Sequence, residues 1–197
     1  MSTPAIGPTN TFHGTSGDDT VHISKAGGLA GLLGLYEVNM NGQTTYMTKQ
    51  QLENTDFQLH SGNDTLVVDA NVTADITAHG GRGDDVMVGG AGDDNFSGGR
   101  GDDVIAGRGG NDDLKGGRGD DVLLGGRGHD NLDGGRGDDL MFGGRGNDIM
   151  RGGRGDDLMF GGRGHDIMFG NRGDDLLVGG QGFDFLFSGR GSDTVLP

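Results

Sequence analysis

An aspartate recurs every nine residues through the second half of the chain: Asp85, Asp94, Asp103, Asp112, Asp121, Asp130, Asp139, Asp148, Asp157, Asp166, Asp175, Asp184 and Asp193. A carboxylate is a hard oxygen ligand. A row of them suits a divalent cation that takes six to eight oxygens, as Ca²⁺ does. Zinc would want His or Cys, and Mg²⁺ would resist losing its water shell. Two residues after each Asp stands an apolar side chain: Met87, Phe96, Ile105, Leu114, Leu123, Leu132, Met141, Met150, Met159, Met168, Leu177, Leu186 and Val195. Residues 80 to 196 therefore read as thirteen consecutive nonapeptides, G-G-x-G-x-D-x-U-x, with U apolar and no insertion.

These aspartates need a scaffold. The three residues x-U-x make a very short strand, with U pointing in and its neighbours out. Glycines at positions one, two and four permit positive φ and close approach of neighbouring loops. A short strand and a tight turn, repeated, give a parallel solenoid. The outward positions set the length of one turn. Odd repeats carry Val86/Val88, Val104/Ala106, Val122/Leu124, Leu140/Phe142, Leu158/Phe160, Leu176/Val178 and Thr194/Leu196, whereas the first even repeats carry Asn95/Ser97, Asp113/Lys115 and Asn131/Asp133. Segments 134–151 and 152–169 agree at sixteen of eighteen positions. Alternate repeats thus occupy different environments. The structural period is eighteen: an all-β roll with two sheets and two loop edges.

Stacking the turns at a strand spacing of about 4.8 Å places the aspartates in two columns. Like charges at that distance repel by roughly 1 kcal/mol in water and by more at a partly buried site. One inward side chain per nine residues is a thin core against the entropy of ordering the chain. The metal-free array is expected not to fold, and a cation between loops reverses the balance.

The repeat resembles the RTX, or hemolysin-type, calcium-binding nonapeptide. The resemblance covers about 60% of the chain. It implies a right-handed parallel β-roll with each ion between loops of adjacent coils, eighteen residues apart, and each Asp bridging two ions. Asp85 then pairs with Asp103 and Asp94 with Asp112, and so on. That makes about eleven Ca²⁺, with Asp64 able to add one. Eleven ions would move the formal charge from −15 to about +7. Arg108, Asn171 and Ser188 replace expected glycines; the loop at Arg108 is expected to be a weaker site, and the last loop to end the stack.

Composition narrows the function. Gly accounts for 46 of 197 residues, but only 3 Pro exclude collagen. So acidic a chain repels phosphate, which argues against nucleic acid. There is no Cys, no Sec-type leader and no apolar run long enough for a transmembrane helix. No zinc-protease or nucleophile-elbow motif is present, so no catalytic residue and no enzyme activity is assigned. His129 and His165 stand two coils apart and are read as loop surface. Arg at position three is read as a ladder neutralised by neighbouring acids, as Arg82/Asp84 and Arg100/Asp102. Arg-Gly-Asp inside such a loop has the wrong shape for an integrin ligand.

Residues 1–11 are read as a mobile tail, 12–79 as an N-terminal cap of degenerate coils with an inserted hairpin, and 80–197 as the roll. Within the cap, Asp19 and Asp64 sit in isolated repeat matches. Residues 25–34 look like a loop, and Asn41-Gly42 marks a type I′ hairpin turn. Thr48 with Gln51 forms a capping box on a short helix. Residues 68–79 read as two short strands. The cap is similar to leaders that precede a metallopeptidase domain in some secreted bacterial effectors.

The outer face of the odd sheet, including Val104, Leu124, Phe142, Phe160 and Val178, is apolar enough to mark an interaction surface. A second copy, the cap, another protein or a membrane surface would each fit it. Secretion by a non-Sec route, type I or type III, is expected. The chain ends straight after its repeats, which argues against a type I signal. Three functional classes stand: a free-standing calcium-binding β-roll, an accessory folding or export module of a secreted enzyme, toxin or effector, and an adhesin or matrix protein.

Overall fold

The computed structural model describes residues 10–197. The expectation of a mobile tail falls, for residues 1–9, outside the described residues. Asn10–His13 forms the first strand, β1. It is followed by β2 (Thr20–Lys25), a helix α1 (Gly28–Leu32), β3 (Tyr36–Met40), β4 (Gln43–Met47), a helix α2 (Lys49–Glu53), β5 (Thr55–Ser61), β6 (Thr65–Val68) and β7 (Thr77–Arg82). Then the array begins, with strands from Val86–Val88 to Thr194–Leu196.

Two sheets result. One has nine strands: β1, β5 and β7, then six strands from Asn95–Arg100 to Phe185–Arg190. The other has eleven: β4, β3, β2 and β6, then seven strands from Val86–Val88 to Thr194–Leu196. Pairing in the array is parallel and shifts by eighteen, as in Ile105↔Leu123 and Leu114↔Leu132. This is the parallel β-roll that the eighteen-residue period requires. The roll begins before the perfect repeats: β1 pairs with β5 and β2 with β6, also in parallel, so the cap contributes coils of its own.

Eighth-position side chains from Met87 to Leu177 are buried and form one continuous core with Val21, Phe57, Leu66 and Ala78. In β3–β4, Asn41 (φ 50°) and Gly42 (φ 80°) both take left-handed backbone at the turn, as a type I′ hairpin demands. Thr48 caps α2, and its Oγ1 accepts from the N–H of Gln51 while Gln51 Oε1 accepts from the N–H of Thr48.

Three local readings change. Residues 28–32, inside the stretch read as a loop, close one helical turn. Residues 69–76 form no strand, and only β7 follows; Val72, Ala74 and Ile76 still fill the core without a ladder. Among the array glycines, positions two and four take positive φ outside the second repeat, for example Gly117 (120°) and Gly119 (121°), whereas Gly90 and Gly92 of that repeat and Gly116 at position one do not. Where position two is not Gly, the backbone is still left-handed, at Arg108 (φ 72°) and Asn171 (φ 73°). Such a conformation costs a non-glycine residue roughly 1–2 kcal/mol.

Candidate metal centre

Each loop edge carries one column of sixth-position aspartates. The odd column runs Asp19, Asp64, Asp85, Asp103, Asp121, Asp139, Asp157, Asp175 and Asp193; the even column runs Asp94, Asp112, Asp130, Asp148, Asp166 and Asp184. All are buried except Asp184 and Asp193, which lie in the last coil and are half-buried.

One relation repeats down both columns. The backbone N–H of each aspartate donates to Oδ1 of the aspartate one coil further on: Asp85 to Asp103 at 2.8 Å, Asp121 to Asp139 at 2.9 Å, and Asp94 to Asp112 at 2.8 Å. Oδ1 is therefore satisfied. Oδ2 is buried and has no partner in Asp64, Asp85, Asp103, Asp112, Asp121, Asp130, Asp139, Asp148, Asp157, Asp166 and Asp175. An unpaired buried carboxylate oxygen is costly unless something charged meets it.

Position-one glycines explain where that oxygen points. A Cβ on Gly143 would stand 2.5 Å from Oδ2 of Asp148 and 2.7 Å from the carbonyl oxygen of Gly161, the position-one residue of the next coil. The same convergence of Oδ2 and carbonyl holds at Gly80, Gly125, Gly161 and Gly170. Glycine is needed here for space, not for φ. The nearest atoms around the space it leaves at Gly143 are two oxygens, with Cβ of Asp148 behind them at 3.0 Å.

Burial raises the carboxyl pKa values. Asp139 is pushed up to about 8, Asp94, Asp103, Asp148 and Asp157 to about 7, and Asp85, Asp112, Asp121 and Asp130 to about 6. Asp64, Asp166 and Asp175 shift the same way. Loss of solvent is the largest cause. The backbone N–H on Oδ1 opposes it, and charge on neighbouring aspartates adds to it.

No group of three or more His, Cys, Asp or Glu side chains is gathered as metal ligands among the described residues. A cation between coils would draw on one or two carboxylates and fill its shell from loop carbonyls. That donor set is hard and all-oxygen; it fits Ca²⁺ and not zinc.

The N-terminal ends of the columns are closed by protein groups. Oδ2 of Asp19 accepts from the N–H of Thr15 at 2.6 Å, and its Oδ1 accepts from Asn41 Nδ2. Oδ2 of Asp94 accepts from the N–H of Gly90 at 3.0 Å. Ile76 stands where a preceding even aspartate would be, and its N–H donates to Oδ1 of Asp94. Arg108 Nη1 donates to the carbonyls of Val68 (2.8 Å) and Gly89 (3.1 Å) beside this end.

A second ladder escaped the sequence reading. Fifth-position side chains accept from the N–H one coil further on: Asp84 from Asp102, Asn111 from His129, His129 Nδ1 from Asn147, and His165 Nδ1 from Phe183. The recurrence of Asp, Asn and His at position five was its visible signal. The expected neutralisation of Arg82 by Asp84 and Arg100 by Asp102 does not occur. Among the described residues no arginine forms an ion pair, and the pairs present are His22–Asp69, Lys49–Glu53, His79–Asp56 and Lys115–Asp113. Position-five carboxylates are held by the backbone instead.

The fold and its oxygen-lined loop columns define a calcium-binding β-roll. Comparison with known families agrees: the RTX calcium-binding nonapeptide repeat matches residues 9–22, 77–105, 106–141, 133–168, 142–177 and 169–196. These matches cover about two thirds of the chain, which belongs to this family. The first match contains Asp19, so the family pattern reaches into the cap. A search of curated proteins found no match.

Proposed function

We propose that the chain is a secreted calcium-dependent β-roll that folds as Ca²⁺ enters between successive coils. The sixth-position aspartates Asp64, Asp85, Asp94, Asp103, Asp112, Asp121, Asp130, Asp139, Asp148, Asp157, Asp166, Asp175, Asp184 and Asp193 supply its carboxylate ligands. The single observation that carries the reading is the row of eleven buried, partnerless Oδ2 atoms, seven in the odd column and four in the even. At Asp19 and Asp94, the N-terminal ends of the columns, Oδ2 already accepts from a backbone N–H, so Asp94 serves only the gap toward Asp112. Cytosolic calcium is too low for weak extracellular-type sites, so the chain stays unfolded before export. Export by a non-Sec route, as in much of this family, suits that order of events. Calorimetric titration with parallel circular dichroism tests the coupling of uptake to folding.

A partner role is favoured by one further observation. The outer face of the eleven-stranded sheet presents Val86, Val104, Leu124, Phe142 and Leu158 at 37–45% exposure, with the rings of Phe142 and Phe160 stacked 5.0 Å apart. The described cap does not cover it. A second copy of the chain is the occupant proposed, and a secreted enzyme, toxin or effector that the roll helps to fold or export is the alternative.

A further inference from the structure

The two loop edges differ in a way that calcium binding does not use. On the odd edge, Arg82, Arg100, Arg118, Arg136, Arg154, Arg172 and Arg190 are aligned in register. Position five there is acidic from Asp84 to Asp174, so charges alternate along the edge. On the even edge, Arg127, Arg145 and Arg163 are likewise in register, and all three are exposed. Their position-five neighbours are Asn111, His129, Asn147 and His165, with no carboxylate among them.

The position-five ladder also orients these neutral groups. Nδ1 of His129 and of His165 accepts a backbone N–H, so each ring carries its proton on Nε2. Oδ1 of Asn147 accepts from the N–H of His165, which leaves its NH₂ free. His129 Nε2 and Asn147 Nδ2 have no partner among the described residues, and both side chains are exposed. The acceptors are consumed within the ladder and the donors are left for solvent. Arg108, Arg127, Arg145 and Arg163 line a shallow groove along this edge.

We propose that this edge binds an acidic polysaccharide, a linear chain bearing sulfate or uronate groups, laid along the coil axis. The arginines recur at the strand spacing of about 4.8 Å. An extended 1→4-linked sugar chain advances by a similar step, so successive anionic groups meet successive guanidinium forks and its hydroxyls meet the interleaved N–H donors. Single-stranded nucleic acid would want aromatic platforms between the cations. The loops from Arg108 to His165 hold no Phe, Tyr or Trp, only the imidazoles of His129 and His165, and Phe183, 80% exposed, stands at the far end. The inference rests on the calcium reading in one respect: ions in the even column neutralise Asp112, Asp130, Asp148 and Asp166, which belong to the same loops as the arginines.

The test is binding of a heparin octasaccharide to the full chain, measured by calorimetry with and without Ca²⁺, with folding followed by circular dichroism. Three proteins are compared: wild type, Arg127→Ser/Arg145→Ser/Arg163→Ser, and the opposite-edge control Arg118→Ser/Arg136→Ser/Arg154→Ser. The even-edge triple is expected to lose tenfold or more in affinity, the control less than twofold, and oligothymidylate of equal charge to bind at least tenfold more weakly than heparin. Equal losses in the two triples, equally tight oligothymidylate, or no heparin binding by the folded wild type would overturn the proposal. A chain already folded without calcium overturns the calcium reading alone; the arginine comparison is then made in that protein and still decides.

Discussion

Asp103 and Asp121 are held by a single hydrogen bond: the backbone N–H of Asp103 donates to Oδ1 of Asp121 at 2.8 Å. Oδ2 of Asp121 is buried beside it and meets no donor. One carboxylate thus has two duties. One oxygen fixes the register between coils, and the other is the proposed ligand of a cation.

Asp121→Asn separates the duties. The amide oxygen can still accept from Asp103, but the charge is gone. If each inner aspartate serves the gaps on both sides, as proposed, calorimetric stoichiometry is expected to fall by about two ions and the calcium midpoint to rise. Asp94→Asn should cost less, since Oδ2 of Asp94 already accepts from Gly90. Equal effects at the two positions would contradict the assignment.

Position-one glycines should resist substitution for want of space. In Gly116→Ala the new Cβ would press on Oδ2, Cγ and Cβ of Asp121. Overpacking of this kind costs about 1–3 kcal/mol, read as a shift in denaturant midpoint with calcium present. Gly109→Ala is the contrast: its Cβ meets nothing closer than 3.9 Å, and φ is outside the left-handed region. A change within about 0.5 kcal/mol is expected there.

Acid should partly replace calcium. The carboxyls of Asp85, Asp103 and Asp139 titrate in the folded roll near 6, 7 and 8, above the usual value of 3.8. The folded state therefore binds more protons than the unfolded state between about pH 4 and 8, and its stability falls as pH rises through that window. In chelator, β signal should grow as pH is lowered from about 8 to 5. With calcium the sign reverses for binding, because protons compete for the same oxygens, so the calcium midpoint should rise on acidification. A chelated chain whose β signal falls on acidification would contradict these shifts.

The apolar face gives a test of association. Phe142 is 38% exposed and stacks on Phe160. Phe142→Ser/Phe160→Ser should turn a calcium-loaded dimer into a monomer by sedimentation, with circular dichroism unchanged. Identical sedimentation of the two proteins would remove the second copy as the occupant.

The strands and the inward face were legible because they depend on patterns local to each nonapeptide, and the eighteen-residue period because odd and even repeats carry different outward side chains. Met87 through Leu177 all point inward as the alternation requires. What stayed hidden depends on partners one coil away. Nothing near Gly143 in sequence says that its missing Cβ also makes room beside the carbonyl oxygen of Gly161, eighteen residues on. The hydrogen bond from Asn147 to His129 likewise appears only once eighteen residues are wound into a turn. Arg82 and Asp84 look like a pair in sequence, yet the backbone N–H of Asp102 takes the carboxylate. The N-terminal end was least legible: Ile76, in an aspartate's place, belongs to a coil whose sequence no longer resembles the repeat, and nothing in the repeat itself says that Arg108 reaches back to the carbonyls of Val68 and Gly89.

The central claim is that buried carboxylate columns become a scaffold only with divalent ions between them. Calcium titration of the chelated chain at about pH 8, above most of the raised carboxyl values, tests it most directly, with heat and far-UV circular dichroism recorded together. The expected result is little β signal at the start and a cooperative rise as about eleven ions bind. A full β signal before any calcium is added, or full folding with only two or three ions bound, would contradict it.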